Sequence, residues 1–305
     1  MYKFIILGSG AAGLSAAIYA ARYKVEPLVI GETNGGTANL GHLFENYPGF
    51  ESIAGAELME KFVAHARKFG TEIKNEKVLK LVKIENGFAV QTEKEKYECE
   101  SLLIALGTQH RKLNVPGEDR LTGRGVSYCF TCDGYFFKDK VVGVVGGNDS
   151  AATAALFLAD AASRVYVIYR REALRAEPIW LEKIKQNSKI EVITKTQVVE
   201  IVGEQKVESV KLDQPYKDSS ELKLDGLFIE AGAVPASALV ESLGVEVEGG
   251  FIKVKEDMST NVSGVYAAGD ISTGSAGLRQ VATATAEGAI AAYAAYKWLK
   301  GKRKK

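Results

Sequence analysis

One pattern occurs twice in this chain and decides more about its fold than any other: a β-branched strand, a glycine-rich turn, a small-residue helix, then a second strand. In the first copy Tyr2 to Leu7 reads as a buried parallel strand. Gly8-Ser9-Gly10-Ala11-Ala12-Gly13 is the turn, Leu14 to about Arg22 the helix, and Leu28-Val29-Ile30 the next strand. In that context G-x-G-x-x-G is the dinucleotide fingerprint. Gly8 permits the tight turn, Gly10 lets a pyrophosphate approach the backbone, and Gly13 allows close helix–strand packing, with the pyrophosphate at the helix N-terminus. The second copy has the strand Val141 to Val145, the turn Gly146-Gly147-Asn148-Asp149-Ser150-Ala151, the helix Ala152 to Ala162 and the strand Val165 to Tyr169. Here Asn148 takes the place of the second glycine, and asparagine tolerates unusual backbone angles better than most residues. A repeated βαβ unit predicts two dinucleotide sites in one polypeptide.

The copies differ where their ligands would differ. After the second strand of the first copy come Gly31 and Glu32, and an acid there bonds a free ribose diol. After that of the second come Arg170 and Arg171, with Arg175 beyond, a cluster suited to a ribose 2′-phosphate through charge-assisted bonds. The first site is expected to hold FAD and the second NADPH; the competing reading of the arginines is a solvated basic patch at a helix start.

Between the copies lies Ser127-Tyr128-Cys129-Phe130-Thr131-Cys132-Asp133-Gly134. A Cys-x-x-Cys pair can close a redox-active disulfide, and one of its thiols can have a lowered pKa. The alternative is half of a zinc site. Structural zinc needs four ligands, and only Cys99 and the scattered His42, His65 and His110 remain to supply them, so no metal is expected. Cys99, between Glu98 and Glu100, reads as an inert strand residue.

The remaining chain frames these motifs. The 305 residues are 46% hydrophobic and 25% charged, with 39 basic against 38 acidic side chains, which suits a globular chain of two domains and argues for neither nucleic acid nor membrane as a partner. Three cysteines, two of them in one motif, fit a reducing cytoplasm. Phe4 to Leu7 is too short for a membrane span, no charged region precedes it, and the tail from Lys300 to Lys305 reads as a solvated helix end. Loops holding Gly35, Gly36 and Thr37, and then Asn46, flank the first cleft; a helix is expected from about Ala56 to Phe69 and a β-meander through Val78 to Val82 and Phe88 to Val90. Gly107 follows the strand Leu102 to Ala105, and Asn114 to Glu118 has linker composition. Further strands are expected at Ile190 to Ile193, Val198 to Val202, Val207 to Leu212 and Leu222 to Ile229. Near the end, the strand Val265 to Ala268 runs into Gly269-Asp270, placed to bond a polyol, and Arg279-Gln280-Val281 opens a long helix whose N-terminus offers a positive dipole suited to an electron-rich flavin ring. That return makes the first domain discontinuous. The expected fold is α/β, with two Rossmann-like three-layer (ββα) dinucleotide-binding domains: residues 1–114 and 239–305 for FAD, and 115–238 inserted for NADPH with the Cys-x-x-Cys.

GSGAAG, ENYPGF, YCFTCDG, GGNDSA, YRREALRA, GVYAAGD and RQVATA, in that order, resemble the low-molecular-weight, bacterial-type thioredoxin reductases essentially end to end. The resemblance implies a homodimer with FAD in the discontinuous domain and NADPH in the inserted one. It also implies thioredoxin or a glutaredoxin-like protein as electron acceptor. It makes Cys132 the cysteine nearest the flavin, Cys129 the one that attacks the substrate disulfide, and Asp133 the acid/base for the thiol protons. Against the family pattern, Asn148 stands for a glycine, Tyr169 for a histidine, Leu106 for a threonine and Ala236-Ser237 for Asn-Thr, and the loop Thr37 to Phe44 differs. Two other functions use the same motifs: an NAD(P)H oxidase or related flavoprotein with a different electron donor, and a flavin-bound redox sensor.

Overall fold

The computed structural model describes residues 1–41 and 43–302; His42 and the tail residues Arg303, Lys304 and Lys305 lie outside the described residues. The chain forms two compact units, Met1–Gln109 with Pro235–Lys305, and His110–Val234.

In the first unit β1 (Tyr2–Leu7) is apolar on both sides because it is covered on both. Phe4 and Ile6 enter one core and Ile5 and Leu7 the other. Each such side chain stabilises the unit by about 1.5–3 kcal/mol. Parallel pairing runs from β3 (Glu72–Asn75) through β2 (Pro27–Gly31) and β1 to β6 (Lys96–Ile104), and then to the strand Val265–Ala267 supplied by the other end of the chain. The first half of β6 also pairs antiparallel with β5 (Gly87–Thr92), which pairs with β4 (Val78–Ile84), the expected meander. On the opposite face lie α1 (Ala11–Arg22), α2 (Gly55–Lys68) and the C-terminal helix Val281–Lys302. Small residues let two of these helices approach closely: a Cβ on Gly288 would meet the Ala12 carbonyl oxygen at 2.1 Å, and the Ser15 hydroxyl donates to the Thr285 carbonyl at 2.7 Å.

The second unit repeats the layering. Its parallel sheet has the order β10 (Ile190–Thr194), β9 (Arg164–Tyr169), β8 (Val141–Val145), β14 (Gly226–Ile229), β7 (Val126–Ser127). An antiparallel layer of β11 (Val198–Val202), β12 (Ser209–Tyr216) and β13 (Ser219–Lys223) covers one face, and α4 (Asp149–Ala161) the other. The short α3 (Phe130–Asp133) precedes β8, and α5 (Pro178–Gln186) follows β9.

Three expectations need correction. The run Leu222 to Ile229 is two strands in different sheets, β13 and β14. Asp225 breaks it: its N–H donates to the Val141 carbonyl at 2.7 Å and its side chain accepts from the Val141 N–H at 3.0 Å, clamping the chain to the start of β8. Both fingerprint helices begin inside their turns, at Ala11 and Asp149, because Leu14 and Ala152 already bond back to the Gly10 and Asn148 carbonyls. Thr37 lies in a 3₁₀ turn, Gly36–Leu40, rather than a loop. Among the described residues no helix is long and apolar enough to cross a membrane.

Candidate active site

In the first unit the turn Gly8 to Gly13 is a cradle that side chains would fill. Gly8 has φ +107°, and a Cβ there would meet the Ala105 carbonyl oxygen at 2.1 Å; one on Gly13 would meet the Gly8 carbonyl oxygen at 1.9 Å. Gly10 caps α1 without any side-chain bond, and no acid stands in the first turn. The N–H groups of Ala11, Ala12 and Gly13, which precede the first intrahelical donor, suit a pyrophosphate. Ser9, Gly35 and Gly36 fold onto this turn: Ser9 Oγ donates to the Thr33 carbonyl at 2.9 Å, Gly35 N–H donates to the Ser9 carbonyl at 2.8 Å, and a Gly36 Cβ would lie 3.2 Å from Gly10 Cα. Glu32 immediately follows β2, its carboxylate exposed and 4.0 Å from Lys77 Nζ.

The two ends of the chain meet here. Asn46 Nδ2 donates to Gln280 Oε1 at 3.1 Å across 234 residues of sequence. Arg279 Nε donates to the Asp270 carbonyl at 3.4 Å and its guanidinium lies over Phe251. Burial pushes the Asp270 carboxyl up from its ordinary value, Arg279 opposes that, and Glu287 adds to it. Gln280 and Val281 open the C-terminal helix, and Gly107 sits at φ +62° with open space around it. Glu287 was not singled out by pattern, yet it is 4% exposed and accepts from the Gly269 N–H at 2.7 Å and the Ser272 hydroxyl at 3.2 Å, holding the Gly269-Asp270 turn. Its signal was readable: it is the lone acid of that small-residue helix. A cradle shaped by glycines, an uncapped helix start and a buried carboxyl beside it fit a flavin dinucleotide.

In the second unit Gly146, at φ +156°, and Gly147 form the turn, and a Cβ on Gly147 would meet the Tyr169 ring at 2.5 Å. Asn148 caps α4 with no side-chain bond. Its Oδ1 and the Tyr169 hydroxyl are buried without a hydrogen-bond partner among the described residues, which leaves polar atoms for a ligand at the turn. Asp149 instead faces its own chain, accepting from the Glu177 N–H at 2.7 Å, while Ser150 is exposed. Arg170, Arg171 and Arg175 are exposed, and none of their guanidiniums has an ion-pair partner among the described residues. The Arg175 N–H donates to the Gly147 carbonyl, which fixes that segment beside the turn. These residues fit a phosphorylated pyridine nucleotide.

In the same unit Cys129 and Cys132 form a disulfide with Cα atoms 5.3 Å apart. Cys129 is the N-cap of α3, and its Sγ accepts from the Cys132 N–H at 3.2 Å and lies 3.4 Å from Thr131 Oγ1. Cys132 is exposed and Cys129 half-buried. Asp133 is half-buried, with its N–H donating to the Cys129 carbonyl at 3.1 Å. Two aromatic side chains just beyond, Tyr135 (70% exposed) and Phe136 (81%), escaped pattern reading because an exposed aromatic looks in sequence like a core one. Cys99 lies fully buried in β6, and burial pushes its thiol up to about 12.

The pyridine nucleotide-disulphide oxidoreductase family model matches residues 2–288. The chain is similar to thioredoxin reductase of Bacillus subtilis (strain 168), 42% identical over 296 residues, covering 96% of this chain and 93% of the relative. Among solved structures it is similar to Lactococcus lactis thioredoxin reductase, with TM-score 0.94 and 36% identity over 99% of this chain and 100% of that one. It is also similar to T. acidophilum thioredoxin reductase, with TM-score 0.91 and 36% identity over 97% of this chain and 98% of that one. A disulfide and two fingerprint turns on one such chain thus have a common setting: it belongs to the pyridine nucleotide-disulphide oxidoreductase family and, within it, to the thioredoxin reductases, oxidoreductases that work with a flavin and a pyridine nucleotide.

Proposed function

We propose that this protein is a cytoplasmic, homodimeric NADPH-dependent thioredoxin-disulfide reductase. In this reading the discontinuous unit binds FAD through Gly8 to Gly13, Glu32, Asn46, Asp270 and the Arg279-Gln280-Val281 segment. The inserted unit binds NADPH through Gly146 to Ser150 with Arg170, Arg171 and Arg175. The observation that carries the reading is the Cys129–Cys132 disulfide at the start of α3, in the unit that also bears the arginine-flanked turn.

When bound, the two cofactors supply hydride and a two-electron carrier able to reduce a disulfide. The chain's own residues do the rest. Reduced Cys129 is the attacking thiolate: the Cys132 N–H and the Thr131 hydroxyl are both at hand to donate to its Sγ, which favours the charged form. Attack on the partner's disulfide forms a mixed disulfide, and Cys132, three residues on and exposed, resolves it. Asp133 exchanges protons with the two sulfurs. Tyr135 and Phe136 offer the partner protein an apolar contact beside the sulfurs. Exposed Tyr19, Ile290 and Tyr293 on α1 and the C-terminal helix support self-association.

The test is a Cys129→Ser variant under anaerobic NADPH. Flavin absorbance is expected to bleach as in the parent protein while reduction of oxidised thioredoxin stops; normal thioredoxin turnover by that variant would sink the proposal.

A further inference from the structure

Glu230 is a buried carboxyl with no role in the chemistry above. It directly follows β14 and is 6% exposed. Burial alone pushes its pKa up to about 8. A carboxyl buried to this degree calls for a reason.

Its position in the sheet supplies one. β14 pairs with β7, Phe228 standing opposite Ser127. Two residues beyond that pair, on one strand and on the other, come Glu230 and Cys129, and Cys129 is still extended at φ −135°, ψ 91°. Paired strands run about 5 Å apart, so Glu230 and Cys129 leave neighbouring strands at the same end of the sheet. Side-chain alternation gives the direction. Leu227 and Ile229 enter the core under the antiparallel layer, whereas Phe228 enters the core under α4 together with Phe130 of α3. Glu230 shares the parity of Phe228, so it belongs to the face that carries the Cys-x-x-Cys turn.

We propose that Glu230 is a second proton-handling residue of the Cys129–Cys132 pair, serving it from beneath the turn while Asp133 serves it from the turn itself. The proposal rests on the disulfide-reductase reading. Reduction by a hydride-equivalent donor breaks the Sγ–Sγ bond with two electrons and one proton, leaving one thiol and one thiolate. Glu230 gives the second proton, becomes a carboxylate, and takes a proton back when Cys129 forms the attacking thiolate. Other titratable and charged groups on the elements packed around it are Asp133 on α3, Asp149 at the start of α4, Tyr169 at the end of β9 with Arg170 and Arg171 beyond, and Tyr128, which packs into the opposite core beside His110.

Coupled neighbours titrate together, so removing one moves the other. The experiment is timed iodoacetamide alkylation of Cys129 in the dithiothreitol-reduced, flavin-bound protein across a pH series, read by peptide mass spectrometry, for the parent and Glu230→Gln. An ionised Glu230 opposes the Cys129 thiolate. The Glu230→Gln profile is therefore expected to shift down by about one pH unit or more. A merely structural role would leave its midpoint in place, and superimposable profiles overturn the proposal. If Glu230→Gln does not fold, the parent protein still decides: a single-inflection Cys129 profile, with no second step near the Glu230 titration, overturns it equally. A protein that reduces no thioredoxin disulfide at all contradicts the proposed function, whereas the alkylation profile speaks only to Glu230.

Discussion

At the scale of single residues, the cysteines show how position sets reactivity. Cys129 caps a helix start with an N–H and a hydroxyl at its sulfur, while Cys99 is sealed in β6 with its thiol pushed up to about 12. Alkylation of the reduced native protein near pH 8 is therefore expected to label Cys129 and Cys132 only, Cys99 reacting after denaturation; rapid native labelling of Cys99 would contradict its placement. Glu230 makes a second prediction. Its folded-state pKa of about 8 lies above its ordinary 4.5, so its contribution to stability is intact below 4.5 and is lost as pH rises through 8. Thermal melts should show Glu230→Gln gaining on the parent across that window and the gap levelling above it. The Cys129–Cys132 disulfide was visible in the sequence because a bond between neighbouring turns of chain needs fixed spacing. Glu230 and Glu287 were not, since their importance comes from burial beside turns that are distant in sequence.

At the scale of elements, the glycine turns explain themselves by contact. A Gly13→Ala methyl would meet the Gly8 carbonyl oxygen at 1.9 Å, so the first turn of α1 must shift. Overpacking of this kind costs about 1–3 kcal/mol. The variant should purify with less flavin and a lowered Tm; an unchanged flavin content would count against the cradle. At the second turn, Arg170→Ala or Arg171→Ala each removes a charged donor worth about 1.5–3 kcal/mol. Each is expected to raise KM for NADPH about 10- to 100-fold and leave KM for NADH nearly unchanged, as steady-state kinetics with the two nucleotides will show. Both βαβ units were legible because their strands are apolar throughout and their turns demand glycine. The strand break at Asp225 was hidden, because the run Leu222 to Ile229 keeps a strand-like composition while a tertiary bond to Val141 divides it between two sheets.

At the scale of the whole molecule, a chain that starts and ends in one unit encloses another of the same layering. The discontinuity could be read ahead of the structure from Gly269-Asp270 and the helix after it, which complete a cleft begun at Gly8. What could not be read was the seam itself, where Asn46 bonds Gln280 and Ser15 bonds Thr285, since such pairs carry no local pattern. In the proposed function electrons leave the molecule through Cys129 to a protein disulfide. The most direct measurement is mass spectrometry of the covalent adduct formed when reduced Cys132→Ser is mixed with oxidised thioredoxin. A mixed disulfide through Cys129 is expected; no adduct, or one through Cys99, would overturn that route for the electrons.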